Sequence, residues 1–482
     1  MNRPIRWYDY ITINIYFMGL TVISQTMTPL VVPLLVQQFV GVGQQATFYG
    51  TARLWSLMVA LLVQALMGML SDRSTLHWGR RRPFIFIGTL GNLVFISLIG
   101  FSAGLEGWTG YWFLFTMLIL LSVTSNTAQG AVQALIPDLV PEDQRGRFSG
   151  VKALFEVPLP VIFVSFVIGR LIGAGHMWAG LIAAMGLLIL TMLISMLISE
   201  KPLQETPTPL DWQPFLRLVL MTALFTLIIL GVREILILIG HLLEETSSTS
   251  LLFAVMGVVG LAAMVLAVGL GVYFSVYLSV GNAGRQNSSY TWWVINRLAY
   301  LVGSTNLASF AVFFLQGRLG LVREKAAGPA SQLILIVGIF ILLTAVPSGW
   351  LADRFGRKLL VAISGLTAAL GTLVIILAPN LAVIYIGGIL VGTATGLFFT
   401  ANWALGTSLV PKVEAGRYLG ISNLAGAGAG AVGAYIGGPI ADYFTRRMPA
   451  TPEIGYVLLF AIYGMMFLLS VAALARVREK GE

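Results

Sequence analysis

Few charged side chains interrupt the long apolar runs of this 482-residue sequence, and those few are where chemistry would be done. Arg53, Glu156, Arg233, Glu234 and Arg297 each sit inside such a run. A charge at a helix centre costs about 2.5–3.5 kcal/mol on insertion scales, so it is expected to meet a substrate, a coupling ion or a counter-charge. Glu156 follows Lys152 by four, which suits a local ion pair as well as a proton site. Arg297 lies near one end of its run, where it could face a substrate or snorkel to the headgroups. Arg53 suits a gate or a substrate ligand. Arg233 and Glu234 are adjacent and point about 100° apart, which reads as packing. Asn14, Gln25, Thr26, Asn126, Gln129, Asn296, Asn306 and Asn402, with Tyr16, Tyr300 and Trp403, could line a cavity for a hydroxylated solute. The same residue types also serve as hydrogen bonds between helices.

These residues must be positioned by spanning helices of about 20 apolar residues. Such runs fall near 10–36, 46–71, 83–104, 111–137, 151–173 and 177–199, then 215–243 and 251–279, then 291–317, 330–352, 359–378, 381–409, 418–443 and 454–476. The fold class expected is an all-α polytopic membrane protein of fourteen helices in the order six, two, six. The domains expected are 1–199, a six-helix bundle, 200–289, a Pro-bearing connector and two-helix hairpin, and 290–482, a second bundle. A repeat supports this. Tyr8…Ile13-Asn14 returns as Tyr290…Ile295-Asn296, and Leu139-Val140-Pro141…Gly146-Arg147 returns as Leu409-Val410-Pro411…Gly416-Arg417. Both bundles are complete without the pair 215–279, which is therefore expected as a hairpin between them. Small residues from Gly426 to Gly438 suit close helix approach.

Composition narrows the function. The chain is 57% hydrophobic and 10% charged, so most of it must face lipid. The net charge of +9 is scattered over short loops rather than gathered in a stripe, which sets membrane orientation and argues against nucleic acid. Lys and Arg concentrate on the side of the N-terminus, placing both termini in the cytoplasm. The first apolar run ends in no cleavage site and reads as a retained helix. With no Cys and three scattered His, neither a metal centre nor thiol chemistry is expected, and no cofactor or enzyme activity.

Two basic turns carry the repeat furthest. Gly68-Met69-Leu70-Ser71-Asp72-Arg73 leads to Gly79-Arg80-Arg81-Arg82-Pro83, and Gly349-Trp350-Leu351-Ala352-Asp353-Arg354 leads to Gly356-Arg357-Lys358. The pair resembles the loops between helices 2 and 3 and between helices 8 and 9 of the major facilitator superfamily. In its first half the chain is similar to the sucrose-transporter branch of the glycoside–pentoside–hexuronide:cation symporters, through Gly79–Ile85 and Asn126-Thr127-Ala128-Gln129-Gly130 with Asp138. That branch has an Asp where this chain has Ser122 and an Arg where it has Gln133.

The resemblance implies a secondary transporter in the plasma (inner) membrane, a monomer in the lipid bilayer, moving a small polar solute such as a sugar or glycoside by alternating access with H⁺ or Na⁺. An exporter of amphipathic or drug-like compounds is the alternative. Asp72, Arg73, Arg80, Asp138, Asp353, Arg354 and Arg357 would form the gate. Asp72 would cap a helix near residues 417–421 and Arg80 would pair with Asp138, while Ser408 stands where the second half would need its own acid. Arg53, Asn126, Gln129, Glu156, Asn296, Arg297 and Asn402 are the substrate or coupling candidates, with Glu156 expected to carry the proton.

Overall fold

The structure, a computed structural model, describes residues 6–198, 200, 210–246, 248–280, 288–409 and 415–478. Helices dominate, and no strand occurs among the described residues. In chain order the spans are α1 (Asp9–Val40), α2 (Gln45–Asp72), α3 (Arg82–Ser102), α4 (Gly107–Leu139), α5 (Glu142–Gly173) and α6 (Met177–Ser195). The additional pair is α7 (Gln213–Leu242) and α8 (Thr249–Val280). Next come α9 (Ser288–Ser309 with Ala311–Leu319), α10 (Glu324–Phe355), α11 (Arg357–Leu377), α12 (Leu381–Leu409), α13 (Ala415–Arg447) and α14 (Glu453–Leu474). α9 bends by 56° at its break, so it makes the fourteenth span only if both pieces count as one crossing.

Apolar stripes explain why these helices suit lipid. On α3, Ile87, Leu90, Val94 and Phe101 are exposed at helical spacing while Gly88, Thr89, Asn92 and Ile96 are buried. Prolines shape the rest. α1 widens to a π turn at Met27–Val31 around Pro29, and α5 does so at Val164–Ile168, after Pro158 and Pro160. A ring without an N–H frees a carbonyl there, and the wider turn absorbs the register change.

Contacts divide the chain into two compact units. Unit 1 is 1–39, 59–216 and 323–335, and unit 2 is 40–58, 217–322 and 336–482. α2 and α10 are therefore shared, α2 giving residues 45–58 to unit 2 and 59–72 to unit 1. Inside unit 1, α1 packs on α6 and α3 on α4. Inside unit 2, α9 packs on α14 and α11 on α12. The first helix of each six meets the sixth and the third meets the fourth, so the repeat in the sequence is a repeat in packing.

α8 lies against α13, α9 and α14. Phe225 of α7 fills the space left by Gly271 of α8 and Gly428 of α13. At the turn of the pair, Arg447 donates to the Glu244 and Thr246 carbonyls. The additional hairpin is thus packed into unit 2 along the glycine-rich helix.

Candidate functional site

The first basic turn is built on glycine and arginine. Gly79 has φ +111° and Gly356, its counterpart in the second turn, has φ +94°, backbone that a side chain would strain. This bend presents the start of α3 to the Glu200 carboxylate, which accepts the Arg81 amide at 2.8 Å and the Arg82 amide at 3.2 Å. An anion there satisfies amides with no partner in the helix and meets its positive dipole end. Arg81 is 2% exposed and is the hub. It donates to Asp138 at 2.9 Å, to Asp72 and to Ser71. Arg80 reaches the same Asp138 oxygen at 2.5 Å. Burial opposes the Arg80 charge, but Asp138, with Asp72 and Glu200 beyond it, outweighs this and raises its pKa. Arg73 turns back to the Met69 carbonyl.

Asp72 is therefore engaged by Arg81. The cap expected near residues 417–421 falls largely outside the described residues, since 410–414 and the side chains of 415–420 are not among them. The second turn is looser. Asp353 is exposed with no hydrogen bond or ion pair among the described residues, Arg354 lies over the rings of Trp350 and Phe355, and Arg357 donates to the Ala404 carbonyl at 3.3 Å. Ser408 donates to Leu405 of its own helix.

The expected polar residues separate into groups. In unit 1, Asn126 donates to the Ser122 carbonyl one turn back, Gln129 is partly buried, and Gln64 donates to Gln133 at 3.0 Å. Glu156 has a side chain 40% exposed, 3.7 Å from Lys152, which is the local ion pair the spacing allowed. In unit 2, Arg233 pairs with Glu234 at 3.0 Å and reaches Tyr435 at 3.3 Å. Arg53 lies beside Gly430 of α13. Asn306 donates to the Ala429 carbonyl, a bond between α9 and α13.

One group converges. Asn296 donates to the Ser470 carbonyl at 2.8 Å and accepts from Asn402 at 2.8 Å, and the Asn402 oxygen accepts from Arg297 at 3.0 Å. Trp293 donates to the Asn402 carbonyl at 2.9 Å. Tyr300 stacks on Phe398 at 3.6 Å one turn further along. α9, α12 and α14 thus bring a guanidinium, two amides and Trp403 to one place in unit 2.

The family model of the Major Facilitator Superfamily matches residues 15–323 and 298–482. The chain belongs to the major facilitator superfamily. Among curated relatives, the sucrose transport protein SUC3 of Arabidopsis thaliana is 30% identical over 141 residues, 24% of this chain and 22% of that one. The matched segment is thus about a fifth of the relative's length. Among solved structures, a D-xylose–proton symporter superposes with a TM-score of 0.66 at 17% identity, covering 99% of this chain and all of that one. The nucleoside transporter NupG gives 0.66 at 14% identity, covering 98% and all. The fold is that of these facilitators.

For a facilitator, the residue that sequence reasoning passed over is Asp442. It is fully buried in α13, and both carboxylate oxygens cap the start of α2, accepting the Ala46 amide at 3.1 Å and the Thr47 amide at 2.7 Å. Gln45 adds a bond to Tyr456 at 2.9 Å. The two helices touch along their backbones: a Cβ at Gly50 would overlap the Ala434 carbonyl, and one at Gly438 the Ala46 carbonyl. Asp442 lies close to the end of its run, where an acid reads as a surface residue. Arg446, four residues on, makes it read as a local surface pair.

Proposed function

We propose that this facilitator is a secondary transporter of a small polar solute, a sugar or glycoside, driven by H⁺ or Na⁺. Two six-helix halves, 1–199 and 290–482, would alternate around a central site, with both termini in the cytoplasm and the hairpin outside the path. The observation that carries this reading is the similarity to sucrose transporters together with the Arg80–Arg81–Asp138–Asp72 network in the first basic turn. A network of charge-assisted bonds at a helix-to-helix turn holds one arrangement until all its members separate, which is what a gate requires. Asp353, Arg354 and Arg357 form its weaker counterpart, lacking an acid at Ser408.

The test is uptake of labelled sucrose, xylose and glucose into proteoliposomes, each with an imposed proton or sodium gradient. Accumulation of one of them under one gradient supports the reading. Uptake no faster than in protein-free vesicles for every sugar would reject it.

A further inference from the structure

The convergent group in unit 2 contains a cation with no carboxylate partner among the described residues. Arg297 donates one Nη to the neutral Asn402 oxygen, and no carboxylate pairs with it among the described residues. Its Nε is buried and makes no hydrogen bond. A buried donor on a charged group left without a partner is costly. Two other arginines have acids beside them. Arg233 has Glu234 beside it, and Arg81 has Asp138 and Asp72. Arg297 has no acid beside it among the described residues, and it is held firmly.

The holding is a chain of fixed bonds. The Ser470 carbonyl orients Asn296, Asn296 orients Asn402, and Asn402 pins one edge of the guanidinium. The Trp293 indole N–H, on the Asn402 carbonyl, ties α9 to α12 at the same level. Trp293 and Trp403 flank the guanidinium, at 5.9 and 5.4 Å from their ring centroids. Rings in that position stabilise the cation without neutralising it. Asn296 and Asn402 have their amides committed to this support, so they position Arg297 rather than offering themselves to a solute.

We infer that Arg297 binds the carboxylate of the solute, so that the substrate is a small polyol acid rather than a neutral sugar. This rests on the polar-solute reading above and refines it. A guanidinium can meet a carboxylate with two parallel N–H bonds, and the hydrogen-bond partner of Arg297 among the described residues is the neutral Asn402 oxygen on one Nη. One monoanion would balance the Arg297 charge. Trp403, 42% exposed, offers a ring face to the carbon chain of the polyol.

The experiment measures binding of D-gluconate and of D-sorbitol, its counterpart with a hydroxymethyl group in place of the carboxylate, to the purified full chain by calorimetry. Gluconate is expected to bind at least about tenfold tighter, a difference of about 1.4 kcal/mol. Arg297→Gln should bring the two to equal affinity. Arg297→Lys, which keeps the charge and loses the fork, should shrink the preference, and it serves as the deciding variant if Arg297→Gln does not fold. Equal binding of both polyols by the unaltered protein, or a preference undiminished in the variants, would overturn the inference and leave the polar-solute reading standing. Binding of sorbitol alone would do the same. Binding of neither would overturn the inference and count against the polyol reading as well.

Discussion

Removing the Asp442 carboxylate should release the start of α2 from α13. The cap joins them through two backbone amides, 3.1 and 2.7 Å from its oxygens, in a fully buried site. Asp442→Ala leaves those amides unpaired, at about 1–3 kcal/mol each. It also ends the burial of a charge, a penalty of several kcal/mol per ion, so the two effects partly cancel. A net loss of about 1–3 kcal/mol, or about 5- to 150-fold in the packed-to-separated ratio, is expected. The chain contains no Cys, so a single introduced thiol reports without background. Ala52→Cys on α2 starts 2% exposed and Val42→Cys before it 48% exposed. Labelling by a membrane-impermeant maleimide should accelerate by that factor at Ala52→Cys when Asp442→Ala is added, and stay constant at Val42→Cys. An unchanged rate at Ala52→Cys would refute the cap.

Other substitutions probe the remaining contacts. Gly438→Val should lower the melting temperature of the detergent-solubilised protein, since overpacking costs about 1–3 kcal/mol and the obstacle here is the Ala46 backbone; an unaltered melt would contradict the close approach. Glu200→Gln should destabilise by about 0.5–2 kcal/mol through the weakened α3 cap, and a denaturation midpoint equal to that of the parent would disprove it. Arg81→Lys should impair transport more than Arg80→Lys, because Arg81 alone joins Asp138, Asp72 and Ser71; the reverse order in an uptake assay would reject the hub. If Glu156 carries a coupling proton, Glu156→Gln should abolish accumulation driven by a pH gradient and spare exchange, whereas equal loss of both would mark a structural pair with Lys152.

Periodicity and loop chemistry made the membrane architecture legible without coordinates. Long apolar runs leave backbone groups no choice but to bond within a helix, so composition alone specifies spanning helices. Two copies of a basic turn, with Gly79 and Gly356 at the bends, exposed the duplication because polar residues between apolar runs are few and distinctive. The short Arg80–Asp138 contact was legible through the resemblance of that turn to the superfamily's loop.

What stayed hidden depended on direction, which linear spacing does not carry. Arg80, Arg81 and Arg82 are equivalent as a string, yet only Arg81 turns inward to bridge two acids, because the Glu200 cap fixes the start of α3. Asn296 and Asn402 look like substrate ligands until their amides are seen to be bonded to Ser470 and to each other. Asp442 is more than 390 residues from the amides it caps, so the sequence separation of 395 and 396 hid the partnership. Apolar runs determined by themselves that the chain spans a membrane; which of its few charges are paired was decided only by the packing of one helix against another.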